Sequence, residues 1–130
     1  MPWVEVFAAL VVCHLVGDYL LQTDWQALHK RGGLGPDPLA RRALFSHIVT
    51  YTLAFVPALV WLADDIGAWA IATAALIAVP HWIQDDGRLL TVYIEKVKGV
   101  EAAANRSVAA AADQSFHFVV LLLTSFLAGS

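Results

Sequence analysis

Four apolar stretches of bilayer-crossing length, each interrupted by histidine or aspartate, constrain this chain more than any other feature. A spanning helix needs about 20 mostly apolar residues. Stretches of that kind run from about residue 3 to 28, 39 to 62, 66 to 86 and 107 to 128. Hydrophobic residues make up 59% of the 130 residues and charged residues 15%. Soluble domains hold about 45–50% and about 25%. Mean hydropathy is +0.66. The expectation is a single integral membrane domain over residues 1–130, all-α, folded as a four-helix transmembrane bundle. The first stretch lacks a basic leader and a small-residue cleavage site, so it reads as a retained span and not as a signal peptide. A net charge of −3 gives no electrostatic case for nucleic-acid binding. The single cysteine, Cys13, cannot form an internal disulfide.

Between the first two spans, "KRGGLGPDPLARR" is a break rich in glycine and proline, and its Asp-Pro pair suits a helix cap followed by proline at the first helical position. "ADDIG" reads as a tight turn joining antiparallel spans two and three. "GRLLTVYIEKVKG" is amphipathic and fits either a helix lying in the interface or a cytosolic extension of the third span. Lys30, Arg31, Arg41 and Arg42 fall between spans one and two, and Arg88, Lys96, Lys98 and Arg106 between spans three and four. These are all eight basic side chains. The positive-inside rule puts both loops in the cytoplasm and both termini on the other side.

The polar interruptions have a pattern. Span one carries His14 and Asp18, span three His81 and Asp85, span four Asp113 and His117, each pair at i, i+4 and so on one helical face. Span two carries His47, with Tyr51 one turn on. Spans one and three run inward and read His then Asp; span four runs outward and reads Asp then His. The aspartate is therefore nearer the cytoplasm in all three. His47 lies about 8 residues into its span and His117 about 10, ~12 Å and ~15 Å at the helical rise. The groups fit one layer in the cytoplasmic half. Asp24 and Asp86, at helix ends, read as solvated.

Ionisable groups at membrane depth cost at least ~2.5–3.5 kcal/mol each when they face lipid, so they pair inside the bundle and mark function. Imidazole and carboxylate without clustered thiolate suit a divalent metal, zinc foremost, with manganese and iron as alternatives. The candidate ligands are His14, Asp18, His47, His81, Asp85, Asp113 and His117. Seven exceed the ~4 that one tetrahedral ion takes, so either two ions share them or some orient the others. A divalent ion activates water for hydrolysis, and a carboxylate not used as a ligand serves as general base. Asp18 and Asp85 are the candidates for that catalytic role. Gln22, Gln84 and Gln114 read as supporting groups or helix glue.

"HLVGDYLLQTDWQALHK", "ALFSHIVTY", "HWIQD" and "DQSFH" together resemble the small bacterial membrane proteins grouped as domain of unknown function thirty-three-oh-seven, over nearly the whole chain. The resemblance implies a compact four-span protein of the bacterial inner membrane, met in bacterial and phage genomes, and implies no activity. Membrane helices punctuated by His and Asp are more loosely similar to membrane-bound metal-dependent hydrolases.

Three readings follow. The first is a metal-binding membrane protein, and with it a metal-dependent hydrolase, whose site takes an unknown substrate from the cytoplasm. The second is transport of a proton or metal ion along the same groups. The third is a structural or partner-binding membrane protein, including a homo-oligomer, with a metal-free polar network. The bilayer is the one partner common to all three.

Overall fold

A computed structural model describes all residues 1–130. The chain is all-helical, with no strand. Helix α1 is Trp3–Leu15 and runs on as a π-helical turn, Val16–Leu20; α2 is Asp24–His29, α3 Pro38–Ala54, α4 Val56–Ile66, α5 Trp69–Asp85, α6 Arg88–Val97, α7 Val100–Ala104 and α8 Arg106–Ala128. Trp3–Leu20 and Arg106–Ala128 are long and apolar enough to cross a membrane. The pair α3 and α4, bent by 53°, makes a third such stretch if taken as one span. Helix α5, with 17 residues, is about 25 Å long, short of the ~30 Å hydrocarbon core.

Four expected segments are redrawn by local chemistry. The first span does not run unbroken from 3 to 28. A capping box starts a new helix at Asp24: Gln26 N–H donates to Thr23 Oγ1 at 3.2 Å and Thr23 N–H donates to Gln26 Oε1 at 3.0 Å. The second span bends at Pro57, which lacks an N–H and crowds the carbonyl of Leu53. The turn expected at "ADDIG" falls later. Ala63, Asp64, Asp65 and Ile66 finish α4, and the chain reverses at Gly67, with φ 59°. The amphipathic stretch is a helix of its own and not an extension of α5, because Gly87 at φ 77° breaks the two apart. Its Ile94 turns inward and its Tyr93 ring meets Phe116 edge-on at 4.9 Å.

The two ends of the bundle differ. At one end the Met1 amine reaches Asp65 Oδ2 at 2.5 Å, Ser130 N–H donates to Met1 C=O at 2.7 Å, and Trp3 N–H donates to Ser130 C=O at 3.3 Å. Both termini and the end of α4 thus meet. At the other end the basic loop 30–37 is tied to the start of α6 through Asp86. That residue is 3% exposed, which overturns the expectation of a solvated side chain. Its carboxylate takes Arg88 at 2.7 and 3.1 Å and the Leu34 N–H at 2.9 Å, while its carbonyl takes the Gly32 N–H at 2.9 Å. Burial pushes this carboxyl up, but Arg88 and the Leu34 amide outweigh burial and hold it below the usual carboxylate range.

The interior is divided the same way. Towards the termini it is apolar: Val6, Leu10, Phe55, Leu62, Ile77 and Leu121 are all at most 2% exposed and pack as one cluster. Towards the basic loops it is polar, with His14, Asp18, His47, His81, Asp85 and His117 buried. Tyr51 is the hinge between the halves, its ring in the apolar cluster and its hydroxyl in the polar layer.

Candidate metal centre

The polar layer is assembled from five elements, and the π-helical turn comes first. Leu21 N–H donates to Val16 C=O at 2.9 Å, an i to i+5 bond that widens the turn by one residue. π-bulges of this kind concentrate at functional sites. Here the turn brings both Gly17 and Asp18 inward. Gly17 has to lack a side chain, since a Cβ there would lie 2.6 Å from Tyr51 Cδ2 and 3.3 Å from Tyr51 Cα. The Tyr51 ring so admitted stacks flat on His81, with centroids 3.5 Å apart and planes 3° apart. Tyr51 therefore orients His81 through its face.

Four side chains then converge. His47 Nε2 is 3.1 Å from His81 Nε2, 3.2 Å from Asp18 Oδ1 and 2.9 Å from Asp85 Oδ2. His81 Nε2 is 3.3 Å from Asp18 Oδ1 and 3.1 Å from Asp85 Oδ2. These atoms mark five of the six edges of a compact tetrahedron, and the group as a whole lies within 4.8 Å. A tetrahedral ion bonded at about 2.0–2.1 Å sets its donors about 3.3–3.4 Å apart. The observed edges of 2.9–3.3 Å lie just below that spacing and are compatible with an ion held between them. Asp18 Oδ1 is buried with no hydrogen-bond partner. Two imidazole nitrogens 3.1 Å apart share at most one proton. A cation at the centre satisfies all four at once, and a divalent one balances the two carboxylates.

The remaining sequence candidates border this set. His14 reaches the layer, but both ring nitrogens are taken, Nδ1 by the Tyr51 hydroxyl at 2.9 Å and Nε2 by Gln114 Oε1 at 2.7 Å. Gln114 Oε1 can only accept, so Nε2 carries the proton and Nδ1 accepts from Tyr51. The Gln114 amide then donates to Asp18 Oδ2 and Asp113 Oδ2, each at 3.3 Å. A directed chain, Tyr51 to His14 to Gln114 to Asp18, leaves the other oxygen of Asp18 pointing at His47 and His81. His117 donates from Nδ1 to the Asp113 carbonyl at 2.6 Å and presents Nε2 to Asp85 Oδ1 at 3.1 Å. Asp113, half-buried, groups with Asp85 and His117 as a second set of donors within 4.8 Å of one another.

One residue was invisible to helical spacing. Lys30, just past α2, donates from Nζ to Asp85 Oδ2 at 2.6 Å and to Gln22 Oε1 at 2.7 Å. Its charge counted in the sequence only as a topology signal. With Arg31, Asp85 and Asp113 it lines a surface cleft of about 250 Å³ beside the cluster. His29 stays outside, capping the Trp25 carbonyl at 2.8 Å.

Fold and site define a class: an all-helical protein with membrane-compatible helices and a buried His/Asp cluster able to hold a metal ion. Within that class, residues 6–129 match the family described as protein of unknown function (DUF3307), and the chain belongs to it. No curated protein and no solved structure matches it.

Proposed function

We propose that this is an integral membrane metalloprotein that holds a divalent ion, zinc foremost, among Asp18, His47, His81 and Asp85, and serves as a metal-dependent hydrolase open to the cytoplasm. The observation that carries it is the tetrahedron of four buried donor atoms with an unpartnered Asp18 Oδ1. A divalent ion supplies Lewis acidity and activation of water. The chain's own residues do the rest: Tyr51, His14 and Gln114 hold Asp18 in place, Lys30 holds Asp85, and the cleft beside Asp113 admits substrate. Asp18 and Asp85 then act as ligands first, and Asp113 faces the cleft from which substrate arrives.

The hydrolase part rests on the cleft beside the cluster. The topology rests on charge, with the basic end cytoplasmic and the terminal end outside the bacterial inner membrane. Helices α3 with α4, and α5, then serve as the second and third spans. The apolar cluster filling the terminal half argues against a conducting path.

The test is elemental analysis of protein purified without chelator. The expected result is bound zinc in simple ratio to the chain, with less zinc per chain in a His47→Ala/His81→Ala double variant. Equal metal in the double variant would sink the proposal.

A further inference from the structure

Asp18, His47, His81 and Asp85 use up the four positions of a tetrahedral ion. Such closed sets are structural, whereas catalytic sites keep one position for water or substrate. All four side chains are also at most 8% exposed, so an ion among them meets the cleft only past Asp85.

A second set of donors lies against the first and shares one member. Asp85 presents Oδ2 to His47 and His81 at 2.9 and 3.1 Å, and Oδ1 to His117 Nε2 at 3.1 Å. His117 spends its Nδ1 proton on the Asp113 carbonyl, the arrangement that fixes a ligating imidazole with its other nitrogen free. That free lone pair faces a carboxylate oxygen inside the protein, which is repulsive unless a cation or a second proton lies between them. Asp113 completes the group, its carboxyl 28% exposed where Asp85 and Asp113 line the cleft with Lys30 and Arg31.

We propose that Asp85 bridges two metal ions: an inner one closed by Asp18, His47 and His81, and an outer one held by Asp85, Asp113 and His117 and open to the cleft. The inner ion braces the bundle and the chemistry takes place at the outer one. The outer site also selects its substrate. Asp113 and Lys30 cancel in charge, so a divalent ion there leaves positive charge, to which Arg31 adds. An anionic substrate such as a phosphate ester completes it. Bridged pairs of this kind clamp both oxygens of a displacement at phosphorus. This inference rests on the metal reading above, and the experiment separates the two.

Apo-protein in detergent is dialysed against Mn²⁺, the bound metal counted, and the electron paramagnetic resonance spectrum recorded with and without inorganic phosphate. Wild type is expected to take two ions per chain with a spin-coupled spectrum. His117→Ala and, separately, the milder Asp113→Asn are expected to take one ion with an uncoupled six-line spectrum. Phosphate is expected to tighten the second ion in wild type at least threefold and to leave the one-ion variants unchanged. One ion in wild type, retained in both variants, overturns the second site and leaves the inner site standing. No ion in wild type overturns both. Two uncoupled ions overturn the Asp85 bridge, and a second ion indifferent to phosphate overturns the anionic substrate.

Discussion

Gly17 and Tyr51 decide the geometry of the cluster, although neither is a donor in it. A methyl group at position 17 meets both the ring and the Cα of Tyr51, so the neighbour cannot yield by a rotamer change. Overpacking of that kind costs about 1–3 kcal/mol. The displaced ring is the one stacked on His81, and disturbed supporting groups lower metal affinity about 10–100-fold. Gly17→Ala is therefore expected to lose both stability and metal affinity, read by thermal unfolding in detergent and by chelator competition. Tyr51→Phe separates the two contributions. It keeps the stack on His81 and removes the hydroxyl that serves His14 Nδ1, leaving a buried acceptor unpaired at a cost of about 1–3 kcal/mol. Unfolding at a clearly lower temperature, with metal affinity changed less than in Gly17→Ala, is the expected result. Equal losses of affinity would show that the hydroxyl, not the stack, positions the site.

Helix boundaries were the least legible part of the sequence, and the reason is physical. Hydropathy sums over about 20 residues and is blind to a single cap or proline. Hence residues 3–28 looked continuous although Thr23 and Gln26 start a new helix, and residues 39–62 looked straight although Pro57 bends them. The His/Asp pairs were legible, because i, i+4 spacing survives whatever the bundle does next. The π-helical turn was not, since nothing in "VGDYL" requires an i to i+5 bond until Tyr51 packs against Gly17. Lys30 and Asp86 are illegible for a related reason: the contacts that draw them in, Lys30 to Asp85 and Asp86 to the Leu34 amide, span 55 and 52 residues. At this scale Asp86 gives a pH prediction. Its carboxyl is held low in the folded protein by Arg88 and the Leu34 amide, so its contribution is present above the unfolded value of about 3.9 and lost as pH falls through the lower folded value. Asp86→Asn is expected to cost about 1–2 kcal/mol at pH 7. The gap to wild type should close at acid pH, measured by denaturant unfolding across pH; a gap constant from pH 7 to pH 3 would remove charge from the explanation.

For the whole molecule, the asymmetry between the two ends makes orientation testable. Both termini and Asp65 meet at one end, and the loop bearing Lys30 and Arg31 interlocks with Asp86 and the start of α6 at the other. Cytoplasmic loops keep lysine and arginine because each basic side chain resists translocation. The proposed orientation rests on the eight basic residues, which fall in the two stretches 30–42 and 88–106. The cluster lies in the half nearer the basic residues, so in the proposed function orientation also decides from which side the cleft is reached. Cys13 is the sole native thiol, so a Cys13→Ala background takes single reporter cysteines cleanly. Ser130→Cys is expected to react with a membrane-impermeant maleimide on intact spheroplasts, and Lys98→Cys only after permeabilisation. The opposite pattern would invert the protein and move the cleft to the far side of the membrane. Both positions reacting on intact spheroplasts would mean that α8 does not cross, leaving the cluster inside a bundle that lies on the bilayer.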